Sequence, residues 1–151
     1  MTMLNDLANA IAKAEVDVAS GHSMLVYGPP KSGKTALAAT VAESKNIDRV
    51  FMFDNENSWE VLLWMIRENK LSPEAAAKIN VIRIVDSKDD PYAIDTMIKC
   101  LNSIRNPVYL DTSDGRVLPK KPSTELPDHI IEFQMSKLTK RDVIITDSLS
   151  Q

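Results

Sequence analysis

Gly28-Pro29-Pro30-Lys31-Ser32-Gly33-Lys34-Thr35 is the stretch on which the reading of this chain turns. The apolar run ahead of it, Ser23-Met24-Leu25-Val26-Tyr27, predicts a short strand, and Lys34 to Ser44, rich in Ala and Leu, predicts a helix. A Gly-bearing loop in that position fits the pattern G-x-x-x-x-G-K-[ST], and the demands of polyphosphate binding explain the spacing. Many donors must converge on one charged tail, so the loop offers main-chain N–H groups at the positive end of a helix. Gly28 and Gly33 supply the tight turns this requires. Lys34 is the expected cation for the β- and γ-phosphates, and Thr35 the expected hydroxyl ligand of Mg²⁺. Gly28, Pro29, Pro30, Lys31, Ser32, Gly33, Lys34 and Thr35 thus form a candidate nucleotide-binding set. The bland alternative is a chance turn before an Ala-rich helix, and the flanking signals count against it.

Outward from the loop, strand and helix signals alternate. Arg49 to Phe53 predicts a second apolar strand, followed by polar Asp54-Asn55-Glu56 and a helical face of Trp59, Leu62, Leu63 and Ile66. Ser72-Pro73-Glu74-Ala75 opens a short helix ahead of a strand over Val81 to Val85. Asp90-Pro91 starts another helix, with Ile94, Met97, Ile98 and Leu101 expected on its inner side. The segment from Asn106 to Asp128 holds four of the eight prolines and breaks the rhythm. It reads as a hairpin, Val108-Tyr109-Leu110 turning through Ser113-Asp114-Gly115 to Val117-Leu118, plus an irregular loop. Helical spacing returns over Ile130, Ile131, Phe133 and Leu138, and Asp142 to Asp147 predicts a buried strand ending on an acid. Ahead of the loop, Leu4, Leu7, Ala8, Ile11, Ala14 and Val18 predict an amphipathic helix over 3–20. Alternating strands and helices imply right-handed crossovers and a mostly parallel sheet covered on both faces. The expected organisation is one α/β nucleotide-binding domain over 1–151, its core at 23–105 and 129–151, with an insertion at 106–128.

A phosphate-binding loop needs an acid near the metal, and Asp147 is the candidate. Val143, Ile144, Ile145 and Thr146 place it at the carboxyl end of a strand, the side where ligands of α/β sheets bind. Its plain alternative is a turn or helix-capping aspartate. Ser148 follows, so no second acid adjoins it to act as a base. Glu56 is the candidate general base, since its loop leaves a strand at the same sheet edge; Asp54 is the rival, and either could instead cap the Trp59 helix.

The order of these motifs resembles the RecA-like P-loop ATPase core: Gly-Pro-x-x-Ser-Gly-Lys-Thr, then Phe53-Asp54-Asn55-Glu56, then Asp142-Val143-Ile144-Ile145-Thr146-Asp147-Ser148. The match covers most of Ser23 to Ser148. It implies a three-layer P-loop fold with ATP and Mg²⁺ as ligands, Glu56 polarising the attacking water with Lys34 on the phosphates, and Asp147-Ser148 closing the metal site to which Thr35 also contributes. Without a large domain before the loop, the chain is similar to small phage-encoded RecA-like proteins of recombination or single-strand annealing. That likeness implies a host-cytoplasmic protein acting on single-stranded DNA. Two departures stand out. The 106–128 insertion sits where such cores run almost directly from helix to strand, and the sequence stops just after the Asp147 strand. A core truncated there implies a homo-oligomer or another chain completing the sheet edge.

Bulk properties narrow the classes. With 44% hydrophobic and 26% charged residues the chain is of globular composition, and its net charge of -3 sets up no global field for nucleic acid. The single cysteine, Cys100, cannot form an internal disulfide, and the lack of a signal-like or membrane-spanning run leads to a cytoplasmic expectation. Arg116, Lys120 and Lys121 could touch a phosphate backbone, though a solvated loop is the commoner use; Tyr92 and Tyr109 could stack on adenine; Trp59 and Trp64 read as core; His22 and His129 are too isolated for a metal site. Beside a recombination ATPase stand a nucleotide-gated assembly or clamp-loading component with little hydrolysis, and a small-molecule P-loop kinase. An arginine-rich lid segment, which a kinase would want, is absent after the loop helix.

Overall fold

The computed structural model describes residues 26–29, 31–123 and 125–147. The helix expected over 3–20, His22, most of the expected strand before the loop, Pro30 and Ser148 lie outside them. Along the chain come helix α1 (Lys34–Ala39), strand β1 (Arg49–Asp54), helices α2 (Trp59–Arg67) and α3 (Pro73–Lys78), strand β2 (Ile79–Arg83), helix α4 (Ala93–Leu101), and strands β3 (Val108–Asp111), β4 (Ile130–Phe133) and β5 (Asp142–Asp147). Strands β2, β1 and β5 form a parallel sheet in that spatial order, and β3 pairs antiparallel with β4. The architecture is α/β, and its parallel sheet is compatible with a P-loop NTPase core.

Strand β1 is central, and every residue after Arg49 is buried, as a strand covered on both faces requires. Its side chains alternate between two cores. Val50 and Met52 meet Ala39, Leu62, Met65, Leu71 and Ala75 on one side. Phe51 and Phe53 meet Ile82, Ala93, Cys100, Leu110 and Phe133 on the other. There the Phe133 ring stands edge-on to Phe51 at 5.2 Å and to Phe53 at 6.2 Å, a favoured aromatic geometry.

Helix starts follow local chemistry. Ser72 caps α3 by accepting the Ala75 N–H at 3.1 Å, Pro73 occupies the first turn, and Glu43 in turn accepts the Ser72 N–H at 2.6 Å. The loop helix runs as α1 only to Ala39, and Thr40–Glu43 tightens into a 3-10 turn.

Several expectations are corrected. Ile130 to Phe133 is a strand, not a helix: its β-branched and aromatic residues pair with Val108 to Asp111 and bury Ile130 and Phe133. The expected Val108–Leu118 hairpin survives only as a bridge between Leu110 and Val117. The start of the insertion therefore belongs, with β4, to the layer that closes one face of the sheet. Helix α4 starts at Ala93 rather than beside Asp90, because Asp90 pairs with Arg116 while Asp86 accepts the Tyr92 N–H at 2.7 Å. It also turns Ala93, Thr96 and Cys100 inward and leaves Ile94, Ile98 and Leu101 exposed. Its small side lets it lie close to the sheet, and the Thr96 hydroxyl donates to the Gly115 carbonyl at 3.0 Å. On α2, Leu62 and Met65 are buried, whereas Leu63 and Ile66 reach the surface. Val26 and Tyr27, expected to end a strand, form none, and Tyr27 is 95% exposed.

Gly115 has φ +75°, and a Cβ there would lie 2.6 Å from Ile84 Cγ1 and 2.9 Å from the Arg83 carbonyl oxygen. The 111–116 turn can press against the end of β2 only because that residue is glycine.

The amino edge of the sheet is tied by two bidentate Arg–Asp pairs. Arg49 donates to Asp142 at 2.9 and 2.7 Å, and Arg141 to Asp48 at 2.7 Å through both nitrogens. The Arg49 guanidinium holds the Asp142 carboxyl below the usual carboxylate range. A native pKa below the unfolded one means stability fully present above the unfolded value and lost as pH falls through the native one. Asp142→Asn is expected to destabilise at neutral pH by roughly 1–3 kcal/mol. In urea denaturation the gap from wild type should narrow below about pH 4; a gap constant down to acid unfolding would contradict this.

Candidate functional site

The loop before α1 turns at Pro29, whose carbonyl accepts the Ser32 N–H at 3.3 Å. Lys31 at φ 60° and Gly33 at φ 85° adopt left-handed backbone on either side of Ser32. Residues of positive φ close together are a backbone feature of anion-binding nests, and the Ser32 N–H between them is here engaged by the Pro29 carbonyl. The Leu37 N–H donating to the Gly33 carbonyl at 2.9 Å begins the helix. Lys34 lies back across the loop, its ammonium donating to the Gly28 carbonyl at 3.0 Å and the Pro29 carbonyl at 2.8 Å.

The Thr35 hydroxyl donates to Asp147 Oδ2 at 2.6 Å. The two residues expected at the metal are therefore in contact, although 112 positions separate them. β5 supplies the geometry: it runs parallel to β1 with Asp147 in register with Asp54, so both acids end their strands at the same edge. The Asn55 N–H extends this pairing by donating to the Asp147 carbonyl at 3.4 Å, and exposed Glu56 follows directly. Loop helix, Asp147 and Glu56 segment thus share the carboxyl edge. A hydroxyl and a carboxylate in contact form a hard oxygen donor set that suits Mg²⁺.

Asp54 has a different environment. It is 1% exposed, and its carboxylate accepts the N–H groups of Glu56 at 3.1 Å, Ser58 at 2.9 Å and Trp59 at 2.9 Å. Its lone pairs are consumed in shaping the turn and capping α2, which leaves Glu56 as the acid of this loop that faces outward. Asn57 continues the turn at φ 58°, and its side-chain oxygen accepts from the Arg83 guanidinium at 3.2 Å. Arg83 ends β2 and lies over the Trp59 ring at 5.1 Å. Sequence reasoning passed over Arg83. Its only signal was a cation in the middle of the apolar run Val81 to Val85.

The other candidates are occupied elsewhere. Arg116 pairs with Asp90 and covers the Tyr92 ring at 4.1 Å, while the Tyr92 hydroxyl donates to the Asp114 carbonyl at 2.6 Å. Tyr109 is buried and donates to Glu132 at 3.1 Å. Lys120 and Lys121 remain exposed. Trp59 is half-buried and Trp64 is 48% exposed, so neither sits fully in the core. Cys100 is buried, and burial pushes its thiol up to about 12, far from a reactive thiolate. Among the described residues no cluster of three His, Cys, Asp or Glu side chains could hold a metal. No helix among them is long and apolar enough to cross a membrane.

The chain is similar to the replication factor C large subunit of Methanococcus vannielii, with 27% identity over 97 residues. The match takes in 60% of this chain and spans only 20% of that protein's length. No family model matches the chain, and no solved structure matches it significantly. This distant likeness supports a P-loop ATPase in general terms and adds nothing for RecA-like recombination or a phage origin in particular.

Proposed function

We propose that this chain binds ATP at the loop Gly28 to Thr35 and hydrolyses it with Glu56 as general base. The observation that carries the reading is the 2.6 Å contact between Thr35 and Asp147, which joins the two halves of a metal site through the sheet register. Loop N–H groups hold the phosphates, and the Lys34 ammonium exchanges its two loop carbonyls for phosphate oxygens. Thr35 and Asp147 would hold Mg²⁺, which would supply neutralisation of the phosphate charge. Glu56 orients a water and takes its proton as the oxygen attacks the γ-phosphorus and the bond to ADP breaks.

The motif order favours a RecA-like module acting on single-stranded DNA in recombination or annealing. A second reading, a nucleotide-gated assembly or clamp-loading component with little turnover, is favoured by the likeness to a protein named as a subunit of a replication factor.

Lys34→Ala is expected to weaken ATP binding at least tenfold in a calorimetric titration, and unchanged affinity would remove the site. Glu56→Gln should bind ATP normally while losing at least about a hundredfold in turnover, in line with general-base catalysis; equal turnover in both proteins would refute the base. On size-exclusion the assembly reading expects a mass change on adding ATP with turnover near zero, and the hydrolytic reading expects steady turnover.

A further inference from the structure

We propose that Arg83 is a positioning residue for Glu56, acting through the 54–58 turn; this rests on the Glu56 role proposed above. Between Asp54 and Trp59 the chain has four residues in which to leave β1, present Glu56 and enter α2. The inner side of that turn is tied by Asp54, which accepts three of its N–H groups. The outer side is tied by Arg83, which donates to Asn57 Oδ1 at 3.2 Å while its guanidinium covers Trp59. Asn57 directly follows Glu56 and sits at φ 58°, a conformation asparagine tolerates better than most residues but still above its minimum. A side-chain bond at that residue fixes which way the turn presents its neighbour.

Arg83 is suited to hold rather than merely to fill space. Its backbone is fixed from two sides: it lies in register with Asp54, and its N–H donates to the Thr112 carbonyl at 3.0 Å. Among the described residues it takes part in no ion pair, and its buried Nε has no hydrogen-bond partner. A partly buried guanidinium left so incompletely paired is costly for stability, so packing alone does not explain the choice of arginine. A methionine would cover Trp59 without that cost. What arginine adds is the planar fork that reaches Asn57. A general base must sit within a few tenths of an ångström of its water, and a shift of about 1 Å can cost on the order of a hundredfold. Releasing the turn should therefore slow turnover, while Asp147 and the described residues of the loop, which make no hydrogen bond to Arg83, keep their hold on nucleotide.

Arg83→Met, which keeps an aliphatic stem over Trp59, and Asn57→Gly, which keeps the left-handed backbone but deletes the acceptor, test this in parallel. Each is expected to lower kcat about ten- to a hundredfold with the affinity for ATP unchanged. In single-turnover assays Arg83→Met should cost nothing further in a Glu56→Gln background, since the two act through one group. In the nucleotide-free protein, amide exchange of Glu56, Ser58 and Trp59 should speed up in both variants while Leu37 stays as in wild type. Unchanged kcat, a loss that multiplies with Glu56→Gln, weakened ATP binding, or unaltered exchange at the turn would each overturn the proposal. Wild-type turnover in Glu56→Gln itself marks failure of the base assignment; loss there with no effect of Arg83→Met and Asn57→Gly marks failure of the positioning role alone. Should Arg83→Met fail to fold, the exposed Asn57→Gly change carries the test.

Discussion

The parallel pairing of β1 with β5 is the constraint on which the site depends. Residues 112 positions apart meet at 2.6 Å because β5 enters the sheet beside β1 and both strands end in aspartate at the same height. The same register delivers the Glu56 turn to that edge. At the opposite edge, Arg49 on Asp142 and Arg141 on Asp48 hold the pairing. A slip of one residue would turn every β5 side chain to the other face and carry Asp147 away from Thr35.

The two aspartates show how environment separates equal chemistry. Asp147 is half-buried and faces the loop hydroxyl, whereas Asp54 is enclosed and wholly engaged by main-chain N–H groups. One is left able to hold a cation; the other is a structural element of the backbone turn. Glu56, two residues past Asp54, inherits an outward position because Asp54 pins the turn beneath it.

Much of this was legible from residue order. The alternation of apolar strands with helices, the Ser72-Pro73 start and the placing of Asp147 at the carboxyl end of a strand follow from local chemistry and apolar patterning. What the sequence obscured was decided by distant partners. Ile130, Ile131 and Phe133 have an apolar spacing compatible with either a helix or a strand, and only the neighbouring Val108 to Asp111 selects the strand. In α4 the larger residues Ile94, Ile98 and Leu101 drew the expected inner face toward themselves, but Ala93, Thr96 and Cys100 fit the narrower gap above the phenylalanines. Both Asp54 and Glu56 have spacings that suit a cap, and the sequence did not reveal that Asp54 is the one enclosed by main-chain N–H groups. Arg83 was invisible because its partner, Asn57, is a neighbour only across two adjacent strands.

The placement of Phe133 against Phe51 and Phe53 bears on how the chain comes into being. During synthesis the two earlier rings leave the ribosome long before the one that covers them, and the strand that flanks them, β5, is made later still. For that interval an aromatic sheet face stands in water with an unpaired edge beside it, the kind of surface that draws chains together. Closing it requires contacts between distant parts of the chain, which makes assembly slow relative to a local helical bundle. The nascent protein therefore has reason to depend on holding chaperones until β5 is released.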